Sequence, residues 1–145
     1  MIRGEHNSDS SRFFDWLKKA KNDLDAAKIL KDDSGPNEMA AFHCQQCIEK
    51  ALKAYLLLKF KHHFDGHNLT FLCRKALQAD NKFYEWLDES AMLNRYYIET
   101  RYPSDMPFFI DDNRLESIYE IAKDMYDFIF SEIFGINKSL QTGVN

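Results

Sequence analysis

The sequence predicts an all-α protein, an antiparallel up-and-down helical bundle of four long helices plus a short one. Three observations carry that expectation. Only five glycines and three prolines punctuate the 145 residues, so the chain has few places to turn. Between them lie long segments whose apolar residues recur every three or four positions, the period of a helix. No segment favours the strict alternation of a half-buried strand over that helical period. With 45% hydrophobic residues the chain can fill a core, and at this size folding buries about 70% of the unfolded surface. No internal repeat or low-complexity stretch divides it, so one domain is expected.

Each element has its own signal. Residues 1–10 read as a flexible arm. The first helix is expected from Ser11 to about Asp33, where Phe13, Leu17, Ala20, Leu24 and Ala27 form an apolar stripe ending at Lys31. "DDSGPN" breaks it, with Gly35 as the stop and Pro36 at a first-turn position. The second helix is expected from about Asn37 to His62. After "HFDGHN" turns the chain, His67 or Asn68 starts a short helix, Leu69 to Ala79. Helical signal resumes at Asn81 and continues to about Arg101, because Pro103 disfavours the helical conformation at Tyr102. "PSDMPFFIDD" is a loop. Asp111 or Asp112 caps the last helix, which has Glu116 in its first turn and runs to about Phe134, where Gly135 stops it. Residues 135–145 read as a flexible tail.

Bulk properties exclude several classes. The net charge of -4 gives no general basic field for nucleic acid. No apolar run approaches the ~20 residues that span a bilayer, so no membrane association is expected. The first residues are polar, which argues against a secretory signal and for a cytoplasmic location. The odd set Cys44, Cys47 and Cys73 is then expected to be reduced. P-loop, dinucleotide-binding and nucleophile-elbow motifs are missing.

The second helix has two chemically different faces. Ala40, Cys44, Cys47, Ala51, Ala54, Tyr55 and Leu58 fall in one small, apolar sector suited to close helix packing. Cys44 and Cys47 resemble a redox or metal pair, but they sit mid-helix, away from the N-terminal dipole that lowers a thiol pKa. No second Cys/His pair has zinc-ligand spacing. They therefore read as core residues, and no metal or cofactor is expected. The opposite sector carries His43, Gln45, Gln46, Glu49, Lys50 and Lys53, interleaved with Phe42, Leu56 and Leu57. It reads either as a solvated face, with Glu49 and Lys53 as an i,i+4 pair, or as a contact face for a protein or ligand. A second cluster, "NRYYIETRYP", gathers arginines suited to anions and tyrosines suited to stacking. Its structural alternative has a tyrosine in the core and Arg101 at helix-end carbonyls or paired with Glu49 or Glu99. In "KHHFDGH", His62 and His63 read as solvated helix-end residues and His67 as a capping or packing residue, with a surface metal site as the alternative.

Three of these segments, "AFHCQQCIEKALKAYLL", "GHNLTFLCRKA" and "YYIETRYPSD", resemble the signature segments of HEPN domains (higher eukaryotes and prokaryotes nucleotide-binding). The resemblance covers about residues 11–134. It implies an all-α bundle, usually dimeric, commonly encoded beside a small nucleotidyltransferase. Many members are ribonucleases whose motif is an arginine followed four to six residues later by a histidine. Here Arg74, Arg95, Arg101 and Arg114 all follow His67, the last histidine, and Arg3 stands only three positions before His6. Arg12 is far from His43. The arginine–histidine–tyrosine motif that a partner nucleotidyltransferase can modify is missing for the same reason.

The expectation is a non-catalytic HEPN-like module that binds a nucleotide or RNA, or serves a minimal nucleotidyltransferase in a toxin–antitoxin-like pair. Gln46, Lys50, Lys53, Tyr97, Arg101 and Tyr102 are the expected ligand-binding residues; no residue is assigned a catalytic or metal-binding role. A homodimer is expected through Phe42, Leu56, Leu57, Tyr119, Tyr126 and Phe130, because a lone bundle would leave such rings in water. The alternatives are a metal-independent ribonuclease with non-standard residues, such as His67 with Arg101, and a purely structural dimerisation domain.

Overall fold

A computed structural model of the chain describes residues 9–98, 103 and 109–135. Expectations for residues 1–8, 99–102, 104–108 and 136–145, Arg101, Tyr102 and most of the loop before the last helix among them, lie outside the described residues. Among the described residues, five α-helices form an antiparallel bundle: α1 (Phe13–Asp32), α2 (Asn37–Phe60), α3 (Leu69–Ala79), α4 (Leu87–Ile98) and α5 (Asp112–Phe134). A 3-10 turn, Asn81–Trp86, precedes α4. Among the described residues no strand occurs, and no helix is long and apolar enough to cross a membrane.

Local chemistry fixes the joints. The sequence places the stop of α1 at Gly35, but Ser34 is the residue in the left-handed region, at φ 58°. The Gly35 N–H then reaches back to the Leu30 carbonyl at 2.7 Å, the bond that closes a Schellman end. A Cβ there would lie 2.6 Å from the Leu30 Cδ2 methyl and 3.3 Å from the Leu30 Cα and carbonyl oxygen, so any larger residue would force Leu30 to shift. Pro36 is the extended residue just before α2 rather than a residue of its first turn. At α3 the expected cap holds: the Asn68 side chain accepts from Phe71 N–H at 3.1 Å. Asn94 of α4 adds a bond that the periodicity does not reveal. Its Oδ1 accepts from Leu69 N–H at 2.6 Å, and its Nδ2 donates to Asn68 Oδ1 and Thr70 Oγ1, both at 3.1 Å. Asp111 caps α5 by accepting from Arg114 N–H at 2.7 Å, and Gly135, at φ 70°, closes it.

The fourth helical segment differs from expectation. Asp80 accepts from Lys82 N–H at 2.9 Å and starts the 3-10 turn, so the α-helix begins only at Leu87. The turn drives Phe83 into the core, with its ring 4.6 Å from Tyr55 and 5.0 Å from Phe128.

Helix α2 is the centre of the bundle and packs against α1, α3, α4 and α5. Its small sector is buried as expected, including Ala40, Cys44, Cys47, Ala51 and Ala54. With neighbours on so many sides, α2 also buries parts of its other faces. Leu56 and Leu57 are core residues, and so are Tyr119 and Tyr126 of α5. The bundle thus covers these four side chains itself, which removes the reason for assigning them to a dimer contact. Of the six residues named for that role, Phe42 is half-buried and Phe130 exposed.

Burial also settles the cysteines. It pushes the Cys44 thiol up to about 12 and the Cys47 thiol well above its ordinary value, while Cys73 is raised for the same reason. All three are free and buried. Native protein at pH 8 should therefore react with an aromatic disulfide reagent only as fast as it unfolds, and release three equivalents once denatured. Modification of Cys44 or Cys47 within the mixing time would contradict this placement.

Candidate functional site

The polar face of α2 lies against its neighbours along one seam. Gln45, Glu49 and Lys53 stand one turn apart and so line up along the helix. Gln46 and Lys50 stand beside them. Helix α1 contributes Trp16 and Asp23, the turn before α3 contributes His67, and α4 contributes Tyr97.

Glu49 is the hub. It is only 4% exposed, and an isolated carboxylate at that depth would cost several kcal/mol. Its oxygens accept from Lys53 Nζ at 3.1 Å, from His67 Nδ1 at 3.0 and 3.1 Å, from Gln46 Nε2 at 3.3 Å and, more weakly, from Gln45 Nε2 at 3.5 Å. Gln45, fully buried, also donates to the His67 carbonyl at 3.2 Å and accepts from Gln46 Nε2 at 2.7 Å. The turn that carries His67 is thus tied to α2 by both its side chain and its backbone. Because an ionised carboxylate only accepts, the proton of a neutral His67 ring sits on Nδ1, leaving Nε2 as an acceptor.

His67 reaches the surface, with half its side chain exposed. Its ring stacks on Tyr97 at 4.2 Å between centroids and 16° between planes. Tyr97 in turn lies 6.2 Å from Phe42. A second carboxylate, Asp23, accepts from Lys50 Nζ at 2.6 Å and from His43 Nδ1 at 2.8 Å. Phe42 and His43, 5.8 Å apart, link the two halves. At the far end Lys53 Nζ lies 5.8 Å from the centre of the Trp16 ring, a cation–π contact.

Four of the six expected ligand residues, Gln46, Lys50, Lys53 and Tyr97, therefore belong to one connected seam. Arg101 and Tyr102 lie outside the described residues. Lys50 and Lys53 are each committed to a carboxylate, so the seam is close to neutral and offers rings and hydrogen bonds more than free positive charge. Sequence reading did not assign Asp23, Gln45 or Trp16 to the site. Asp23 had a detectable signal: it stands three residues after Ala20 and four before Ala27, so an acid sits at the edge of an apolar stripe.

Fold and seam together define a small helical-bundle domain with a surface histidine–tyrosine stack anchored on a buried carboxylate. The chain belongs to the HEPN family, since the HEPN domain model matches residues 14–133. It is 30% identical over 122 residues to "Putative toxin MJ1304" of Methanocaldococcus jannaschii, covering 75% of this chain and 78% of that protein. Two solved structures share the fold. TT1696 from Thermus thermophilus has a TM-score of 0.70 and 26% identity, with 84% of this chain and 98% of that chain covered. ST0689, described as an archaeal HEPN homologue, has a TM-score of 0.69 and 25% identity over the same shares.

Replacing Glu49 by alanine should remove the acceptor shared by Gln45, Lys53 and His67 and lower stability by about 2–4 kcal/mol in urea unfolding. Removing the surface pair Lys21–Asp25, 53% and 55% exposed, should cost under about 0.5 kcal/mol. Equal effects of Glu49→Ala and Lys21→Ala would show that the seam is not a buried network.

Proposed function

We propose that this chain is the helical module of a toxin–antitoxin-type pair. In this reading it lacks the family's arginine–histidine ribonuclease chemistry and works by binding. The ligand is a nucleotide, or the nucleotide-bearing face of a minimal nucleotidyltransferase partner. The observation that carries this reading is the half-exposed His67–Tyr97 stack held by Glu49. A base can extend such a stack, and stacking contributes about 1–3 kcal/mol per base. The in-plane lone pair of His67 Nε2 then meets a donor beside the stacked base, such as a ribose hydroxyl. Support also comes from the relative named as a toxin and from the family match. A homodimer belongs to this reading, with Phe42 and Phe130 as the accessible members of the expected contact.

A second reading has one specific observation in its favour. Glu49 orients His67 by Nδ1 and leaves Nε2 for proton transfer, which is the arrangement of a general base. That reading makes the chain a metal-independent ribonuclease.

Calorimetric titration with ATP and with short single-stranded RNA, in the presence of EDTA, separates the two. The binding reading predicts intact RNA, and affinity falling about 10-fold or more in Tyr97→Ala with the fold retained. RNA cleavage abolished by His67→Ala would replace it with the second reading. Tyr97→Ala binding both ligands as the wild type does would remove the stack from the site.

A further inference from the structure

A groove of about 550 Å³ lies between the start of α1 and the end of α2. Its floor is apolar: Phe13, Phe14, Leu57 and Leu58. Phe14 is 56% exposed there, a large ring left in water by the bundle. The apolar surface continues onto α5, because Phe13 lies 6.4 Å from Phe134, and Phe134 lies 4.7 Å from the exposed Phe130. An exposed, continuous aromatic strip is the surface feature most often covered by another chain.

The charged residues of the rim are both basic. Arg12 and Lys61 line the groove with His62 and His63, and no aspartate or glutamate does. Arg12 is shared with Asp15, at 2.9 Å. Lys61 has no ion-pair partner among the described residues, and it ends α2 in the left-handed conformation, at φ 64°. Cations at this end complement the dipole of α2. That role does not account for the aromatic floor beneath.

We propose that this groove is a docking site for an acidic amphipathic helix of a partner protein. Its apolar face would cover Phe13, Phe14, Leu57 and Leu58, and its carboxylates would meet Lys61, with Arg12 beside it, the helix-in-groove mode of recognition. Charge complementarity argues against the chain's own ends as occupants. Residues 136–145 hold one lysine and no acid, and residues 1–8 hold one arginine and one glutamate. The site is independent of what the His67–Tyr97 stack binds.

The probe is a labelled helical peptide of Leu/Glu heptads, with a Leu/Lys peptide of the same pattern as control. The Leu/Glu peptide should bind and shift the amide resonances of Phe13, Phe14, Leu58 and Lys61. Affinity should fall about 10-fold in Lys61→Glu and at least that much in Phe14→Asp, and weaken further as salt rises. Both side chains are exposed, and circular dichroism of each variant checks the fold. Tyr97→Ala, on α4 and outside the turn that carries Lys61, should leave this binding unchanged, which separates the groove from the stack. Equal binding of the Leu/Lys peptide, loss of binding in Tyr97→Ala, or an unaltered affinity in Phe14→Asp would overturn the proposal. So would concentration-dependent self-association lost in Phe14→Asp, which would assign the groove to a second copy of this chain.

Discussion

A carboxylate buried in the middle of a helix needs partners, and Glu49 takes them from its own helix and from the turn before α3. Lys53 supplies the compensating charge, and Gln45, Gln46 and His67 supply hydrogen bonds. The cost of desolvating such a group is several kcal/mol, and it is offset only when nearly all of these bonds are made together. That requirement reaches beyond the residue itself. It fixes the turn from Lys61 to Asn68, because both the ring and the carbonyl of His67 are held. The start of α3 follows from that turn, and Asn94 ties the same point to α4. Tyr97, one turn of α4 further on, then meets the His67 ring.

The second carboxylate, Asp23, does the same between α1 and α2 through Lys50 and His43. Two acids and two lysines leave the seam with little net charge. On the proposed reading, discrimination between ligands rests on shape, stacking and the fixed tautomer of His67 rather than on a strong field. This distinguishes it from the groove at the end of α2, whose floor is apolar and whose rim carries Arg12 and Lys61 and no acid. Trp16 joins the two regions, with Lys53 at its face on one side and His63 at 6.0 Å on the other.

Much of the fold was legible because each boundary had local chemistry: Asn68 before an apolar run, Asp111 before Leu115, and Gly135 after Phe134. The 3-10 turn was not, since the side-chain period from Asn81 onward is near enough to helical, and only the Asp80 cap and the burial of Phe83 reveal the break. The polar face of α2 was legible as composition but not as environment. Periodicity assigns Gln45 and Glu49 to a polar sector; it does not count the neighbours around a helix. In a bundle where α2 is surrounded, that sector becomes interior, and Leu56 and Leu57 beside it become core. The same omission explains Tyr119 and Tyr126, whose partners lie on other helices.

The most direct test of the account is the protonation pattern of the His67 ring, read by nitrogen-15 NMR at a pH where the ring is neutral. A carboxylate that only accepts requires the proton on Nδ1, so Nδ1 should resonate as a protonated nitrogen and Nε2 as an unprotonated one. A ring protonated on Nε2, or exchanging between the two forms as free imidazole does, would contradict the claim that Glu49 holds His67 and, through it, the surface stack.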